Sequence, residues 1–176
     1  DQLPLLDEPV DEALDSGVVR IEDLHRADLG DRASKRLINM VQMGRALADN
    51  IGVDEEQLDP PIKCLFVYNA DPANCVPNSN NMRRGLMRDD LFTVVHETFW
   101  TDSTDYADIV LPADTQLERA DFFVSYGYFQ YGMNLPVIEP IGESVSNSEL
   151  FRRLAHAMDY VESSDTAFTQ TDEEII

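Results

Sequence analysis

Polar side chains follow two apolar runs of the sequence and precede a third, and these are the residues best suited to contact a ligand. They cluster at residues 69–72, at residues 96–102 and at Asp108. The individual candidates are Asn69, Asp71, Pro72, His96, Glu97, Thr101, Asp102 and Asp108. Asparagine and aspartate supply hydrogen-bond donors and acceptors that suit a base or a ribose. Each cluster also has an ordinary interpretation, as a turn, a structural histidine or a capping aspartate, and both interpretations stay open.

Familiar catalytic and phosphate-binding motifs are absent from the sequence. It contains no G-x-G-x-x-G, no G-x-x-x-x-G-K-[ST] and no G-x-S-x-G. The three histidines have no spacing that pairs them as metal ligands on one helix face. The two cysteines are too few for a zinc site or an iron–sulfur cluster, and Cys64 is expected to be buried in an apolar run. The residues alone therefore indicate part of a nucleotide-sized crevice without a catalytic group.

The elements that position these residues are read from the apolar runs. Short, nearly continuous apolar runs predict strands at residues 62–68, 91–95 and 108–111, the first two buried on both faces. Helical segments are predicted between them at residues 80–88 and 101–107, the second capped by Thr101. Alternating strands and helices with short connections favour parallel pairing in an α/β sheet. Ligands bind such sheets beyond the carboxyl ends of the strands, so the three polar clusters are expected to converge on one crevice.

The flanking regions divide the chain into three parts. Residues 1–30 are predicted to be an acidic, irregular leading segment, and residues 161–176 an acidic, mobile tail. The domain proper spans residues 31–160. Within it, a helix is predicted from Asp31 or Ser34 to about Asn50, and a capping box at Ser146 begins a helix that runs to about Tyr160. Residues 113–145 are less regular and hold an aromatic cluster, interpreted as core or interface.

The charge of the chain excludes two classes of partner. Aspartate and glutamate total 34 against 13 lysines and arginines, a net charge of −21 that is spread along the sequence. Such a field repels nucleic acid phosphates and anionic membranes. No apolar run approaches the roughly 18 residues that span a bilayer. We therefore expect no nucleic acid partner and no direct membrane insertion, and the acidity is typical of either a solvated surface or adaptation to high salt.

Several stretches in order carry a family resemblance. They lie at residues 39–47, 61–72, 85–86, 90–97, 101–113, 118–121 and 140–143. The most specific is TDSTDYADIVLPA at residues 101–113, followed by Glu-Arg-Ala-Asp at residues 118–121. Together they resemble the dimethyl sulfoxide reductase family of molybdenum enzymes over about 120 residues.

The resemblance implies a fold and a ligand. The fold would be a Rossmann-like three-layer α/β domain with a mainly parallel sheet, incomplete relative to the parent protein. Such a lobe holds one of the two molybdopterin guanine dinucleotides of a bis-molybdopterin guanine dinucleotide cofactor with molybdenum. By resemblance, Asn69 and Asp71 contact the nucleotide, His96 faces the guanine, and Asp108 is a further contact to the base. Thr101 and Asp102 line the same crevice. A carboxylate at Asp71 or Asp108 suits guanine because it can accept two N–H groups together.

The resemblance also implies what the parent oxidoreductase holds elsewhere. A metal ligand, cysteines for an iron–sulfur cluster and the companion lobe are not identifiable in these 176 residues. The implied partners are the remaining domains and an iron–sulfur electron-transfer subunit, in the cytoplasm or periplasm of a prokaryote. The isolated chain is expected neither to catalyse nor to bind cofactor tightly. Two alternatives stay open: a non-enzymatic α/β interaction module of the same ancestry, and a lobe for another nucleotide.

Overall fold

The computed structural model describes residues 38–52, 55–124, 127, 130–158 and 168–175. Five helices lie in these ranges: α1 Met43–Asp49, α2 Pro72–Cys75, α3 Ser79–Leu86, α4 Asn147–Ala157 and α5 Asp172–Ile175. The five strands are β1 Cys64–Tyr68, β2 Phe92–Glu97, β3 Ile109–Pro112, β4 Asp121–Val124 and β5 Tyr131–Asn134. Short 3-10 turns occupy Met40–Gln42 and Thr104–Tyr106. The leading segment 1–30, the predicted helix start at Asp31 or Ser34, and residues 161–167 of the tail lie outside the described residues.

The sheet at the centre is parallel, as the sequence predicts. Its three strands have the order β1-β2-β3, and both pairings are parallel. Tyr68 of β1 lies beside His96 of β2, and His96 lies beside Leu111 of β3. Each crossover between neighbouring strands contains helical structure, which parallel pairing requires because the chain must return to the same end of the sheet.

Burial distinguishes the central strand from its neighbours. In β2 the four residues from Thr93 to His96 are all buried. In β1 only Val67 is buried, and Cys64 is exposed. The predictions that β1 is buried on both faces and that Cys64 is buried are therefore wrong for the described residues. The reason is position: β1 forms an edge of the described three-stranded sheet, and Cys64 lies at its first residue, beyond the cover of the helices.

Helices cover both faces of this sheet, which gives the three-layer arrangement. On one face a buried cluster of α1, α2, α3 and their connections packs with Leu65 of β1; its members are Leu47, Ala73, Val76, Met82, Leu86 and Leu91. On the other face Phe151 of α4 contacts Phe66 and Tyr68, with ring centroids 5.6 and 5.3 Å apart. Successive side chains of a strand point to opposite faces, so Leu65 and Phe66 separate the two layers.

Helices α1 and α3 approach closely because glycines line their contact. A Cβ on Gly85 of α3 would lie 2.5 Å from the Cβ of Leu47, and a Cβ on Gly44 of α1 would lie 2.9 Å from the backbone nitrogen of Met82. Helix α1 ends at Asp49 and is capped by Asn50, whose left-handed φ of 58° is typical of a helix C-terminus. The predicted end of this helix is thus confirmed, and α3 confirms the helix predicted at residues 80–88.

Helix α4 begins as the sequence predicts. The Ser146 hydroxyl oxygen accepts a hydrogen bond from the Glu149 backbone N–H at 3.2 Å. The Glu149 carboxylate does not complete a capping box; it accepts hydrogen bonds from Arg152 and Arg153 instead. The described helix ends at Ala157.

One element of the fold was not predicted. Strands β4 and β5 form an antiparallel hairpin within residues 113–145, in which Phe122 pairs with Met133 and Phe123 with Gly132. Aromatic residues stand at consecutive positions of β4, so the alternation that marks a half-buried strand is missing.

Among the described residues, no helix is long and apolar enough to cross a bilayer.

Candidate functional site

The carboxyl ends of β1 and β2 lie side by side and carry the first two polar clusters. The chain leaves β1 at Asn69, whose backbone N–H donates to the carbonyl oxygen of His96 at 3.2 Å. Asn69 has a left-handed φ of 48°, a conformation that asparagine adopts more readily than most residues. The turn therefore leaves the sheet at once, and Asn69 is exposed at this edge.

A hydrogen-bonded junction joins the two loops that follow these strands. Oδ1 of Asp71 accepts from the backbone N–H of Ser103 at 3.1 Å and from its hydroxyl at 2.6 Å. The Ser103 hydroxyl oxygen in turn accepts from the backbone N–H of Ala73 at 3.0 Å. Ser103 and Ala73 are buried, and Pro72, which has no N–H, is buried at the first position of α2. The loops thus form one rigid unit, which we call the Asp71–Ser103 junction.

Thr101 leaves a buried polar atom without a partner beside this junction. Its carbonyl oxygen accepts from the N–H of Thr104 at 3.0 Å and from the Thr104 hydroxyl at 2.5 Å. Its own hydroxyl is buried and makes no hydrogen bond within the described part of the chain. Thr101 is therefore not the side-chain cap of residues 104–106; Ser103 occupies that position and makes no side-chain cap bond either. An unsatisfied buried hydroxyl is costly.

The acidic residues at this edge differ in their freedom. Oε1 of Glu97 accepts from the neighbouring backbone N–H of Thr98 at 2.8 Å, which fixes the side chain against its own loop. Asp102 is exposed and pairs with Arg83 of α3 at 3.1 Å. Such exposed ion pairs are worth at most about 1 kcal/mol, so a ligand can displace this one at little cost.

His96 lies in the interior of the protein. Its side chain is fully buried, with Nε2 3.2 Å from the Pro112 carbonyl oxygen and Nδ1 3.1 Å from Oδ1 of Asn147. The expectation that this ring faces a guanine therefore does not match its placement. The reason is the register: at this point of the central strand the side chain points into the layer beneath α4. His96 instead connects β2 to β3 and to the start of α4.

Asp108 lies at the opposite end of the sheet, beside the amino ends of the strands. Its Oδ2 accepts from the backbone N–H of Thr93 at 2.7 Å, and its own N–H donates to the Thr93 carbonyl at 2.8 Å. The prediction that Asp108 converges with the other clusters is wrong. In a parallel sheet the residue before a strand lies at the amino ends of its neighbours, here roughly 13 Å of strand away from Glu97.

The roles of Ser103 and Arg83 could not be predicted from the sequence. A serine within a polar stretch carries no signal of its own, and the junction becomes visible only when the two loops are brought together. The described residues contain no group of three or more histidine, cysteine, aspartate or glutamate side chains that could hold a metal ion.

Comparison with known proteins agrees with this architecture. The family profile described as molybdopterin oxidoreductase matches residues 37–157. The probable oxidoreductase YoaE of Bacillus subtilis is 44% identical over 153 residues, which are 87% of this chain and 21% of that protein. The dimethyl sulfoxide/trimethylamine N-oxide reductase of Rhodobacter capsulatus is 29% identical over 112 residues, 60% of this chain and 14% of that protein.

A solved structure shows the same fold. Acetylene hydratase from Pelobacter acetylenicus superposes with a TM-score of 0.56 at 27% identity, over 69% of this chain and 16% of that one. The chain thus spans about a fifth or less of the length of these relatives. A profile that covers the parallel sheet, both of its helical layers and the hairpin, together with these relatives, leads to one conclusion: the chain belongs to the molybdopterin oxidoreductase family.

Proposed function

We propose that this chain is part of the cofactor-binding lobe of a molybdenum oxidoreductase and contacts the guanine dinucleotide portion of molybdopterin. The observation that carries the proposal is the Asp71–Ser103 junction. It fixes two loops at the carboxyl ends of adjacent parallel strands, which is where open α/β sheets bind nucleotides.

The polar groups at this edge fit a nucleotide. Asp71 uses Oδ1 for the junction, and its Oδ2 makes no hydrogen bond to any other described residue, so that oxygen is free to accept from a guanine N–H. The unsatisfied Thr101 hydroxyl and the exposed amide of Asn69 add a donor and an acceptor nearby. Asp102 lines the outer side, where it can exchange Arg83 for a ligand. Pro72 and Glu97 hold the backbone of the two loops, His96 connects the sheet to α4, and Asp108 lies at the other end of the sheet.

The chemistry of the parent comes from the bound group and not from these residues. The molybdenum–pterin cofactor supplies the redox chemistry when bound, and the protein binds and orients it. We propose that other parts of a longer protein supply the metal ligand and the companion lobe, and that an iron–sulfur subunit passes electrons. The share of each relative that this chain matches, 21% and 14%, supports this division.

One substitution separates ligand binding from folding. Thr101→Val in the full-length protein removes a hydroxyl that has no described protein partner and keeps the volume of the side chain. We expect unchanged or slightly raised thermal stability. The guanine nucleotide retained after dialysis should correspond to an affinity about tenfold lower, as expected for the loss of one buried hydrogen bond.

Controls make this experiment specific. Asp71→Ala should lower nucleotide retention and stability together, because it removes the junction as well as a ligand contact. Asp89→Ala changes an exposed aspartate on the connection between α3 and β2 and should change neither quantity. Full retention of guanine nucleotide by both Thr101→Val and Asp71→Ala would refute the proposed site.

A further inference from the structure

One stretch of this acidic chain carries no charge at all. Residues 122–138 contain no aspartate, glutamate, lysine or arginine, although charged residues make up 27% of the chain. The stretch begins in β4 and runs through β5 to the segment that follows it. An uncharged run of this kind is ordinary in a protein core. Here, however, the large side chains of its described residues lie at the surface.

The register of the hairpin places three of these side chains on one face. Phe122 of β4 and Met133 of β5 are cross-strand partners, and such partners share a face. Tyr131 lies two residues before Met133 and therefore projects from the same face. All three side chains are more than half exposed. We call this surface the hairpin face.

The backbone of the hairpin is nevertheless held in place. The side-chain amide of Asn134 donates to the carbonyl oxygen of Arg119 at 2.9 Å and also to that of Gln116. The backbone N–H of Val137 donates to the carbonyl oxygen of Leu117 at 2.8 Å. On the opposite face, the ring of Phe123 lies over Gly132. The hairpin face is thus an apolar surface presented by an anchored element.

An isolated two-stranded hairpin is only marginally stable in water, and it normally packs one face against another element. Contiguous exposed apolar surface on a soluble protein marks an interaction site. Apolar side chains in the segments before and after the hairpin are exposed as well; they include Leu117, Leu135, Val137 and Ile141. The surface therefore fits an uncharged, apolar partner.

Two observations identify what covers it. The chain spans 21% of YoaE and 16% of acetylene hydratase, so most of the length of these relatives lies outside the matched region. A second copy of this chain is disfavoured, because the two copies would each bring a net charge of −21 to the contact. We propose that the hairpin face is the surface on which another domain of the same polypeptide packs. This inference rests on the proposed function, in which the chain is one lobe of a longer enzyme.

Two methionines of the native sequence provide the test. Met133 on the hairpin face is 60% exposed, and Met87 at the end of α3 is 62% exposed. They have the same chemistry and nearly the same exposure, so a short pulse of hydrogen peroxide oxidises both at similar rates unless one is covered. Peptide mass spectrometry then gives the rate at each position in the full-length protein and in the 176-residue chain. No substitution is needed.

In the full-length protein, Met133 should be oxidised at least about tenfold more slowly than in the same protein unfolded in urea, because burial removes access of the oxidant. In the 176-residue chain, Met133 and Met87 should be oxidised within about twofold of each other. Methionine oxidation does not depend on bound nucleotide, so loss of the cofactor site would not mimic either result.

Three outcomes would overturn the proposal. The first is oxidation of Met133 in the native full-length protein as fast as in the unfolded protein. The second is protection of Met133 in the 176-residue chain at every concentration, which would mean that the chain covers its own hairpin. The third is protection in that chain that rises with concentration together with a dimer in light scattering, which would identify a second copy as the occupant.

Discussion

Removal of one buried hydroxyl should destabilise the fold far more than its size suggests. Ser103→Ala deletes a hydroxyl that donates to the Asp71 carboxylate at 2.6 Å and accepts from the Ala73 N–H at 3.0 Å. A hydrogen bond to a charged group is worth about 1.5–3 kcal/mol, and a buried N–H left without a partner costs about 1–3 kcal/mol. The two terms are not fully additive, because the Ser103 backbone N–H still reaches Asp71. We therefore expect a loss of about 3 kcal/mol, a large part of the 5–15 kcal/mol that stabilises a typical domain.

Urea unfolding measures this loss. With a slope of about 2 kcal/mol per molar urea, the midpoint should fall by about 1.5 M. Ser144→Ala is the matched control, because its hydroxyl donates to the Ile141 carbonyl in a surface turn where water can replace it. The control should change the free energy of unfolding by less than about 0.5 kcal/mol.

A double-mutant cycle then tests the assignment of the energy to the junction. Asp71→Ala and Ser103→Ala together should show a coupling of at least about 1 kcal/mol, as expected for directly bonded residues. A Ser103→Ala midpoint equal to that of Ser144→Ala, or additive effects of the two junction substitutions, would refute the reasoning.

Two further substitutions test the packing and the acid stability of the fold. Gly85→Ala should destabilise the fold by about 1–3 kcal/mol in thermal unfolding, because the added methyl group clashes with Leu47 despite alanine's higher helix propensity. The control Asn80→Ala, on the exposed side of α3, should be neutral or slightly stabilising. A stabilised Gly85→Ala would contradict the close helix contact. The Thr115 backbone N–H and side chain, and then the Ile141 N–H, hold the pKa of Glu118 below its ordinary value against the opposing effect of burial. The contribution of Glu118 is therefore present above the unfolded pKa of about 4.3 and is lost as the pH falls through the lower folded pKa. Glu118→Gln should lower the urea midpoint at neutral pH, and its difference from the unsubstituted chain should shrink in acid; a difference that grows in acid would contradict this sign.

The parallel sheet could be predicted from the sequence because its strands are short apolar runs separated by helical segments. The predicted burial on both faces is most accurate for β2, which has a neighbouring strand on each side in the described sheet. Burial at the edge could not be predicted: Cys64 lies in the same apolar run as Val67, and only the position of β1 in the sheet separates the exposed residue from the buried one. By contrast, the hydrogen bond from the Glu149 backbone N–H to the Ser146 hydroxyl was predictable, because the two residues are close in sequence.

The positions of the candidate site residues could be predicted only for residues that directly follow a strand, because parallel pairing brings the carboxyl ends of neighbouring strands together. Asp71 and Asp102 each follow a strand, and parallel pairing brings the ends of β1 and β2 together. Asp108 precedes its strand, so the same parallel pairing carries it to the other edge. Thr101 was predicted as a lining residue, but its unsatisfied hydroxyl was not, and the role of Ser103 could not be predicted because it depends on a contact with a residue 32 positions away.

We propose above that this chain helps to hold a molybdopterin guanine dinucleotide. The most direct measurement is the content of the full-length protein purified from cells that make the cofactor. Metal analysis gives molybdenum per polypeptide, and chromatography of the acid-released small molecules identifies the nucleotide. We expect molybdenum together with guanine nucleotide, both reduced in the Thr101→Val protein. Adenine nucleotide in place of guanine, or a folded protein that retains neither molybdenum nor guanine nucleotide, would contradict it.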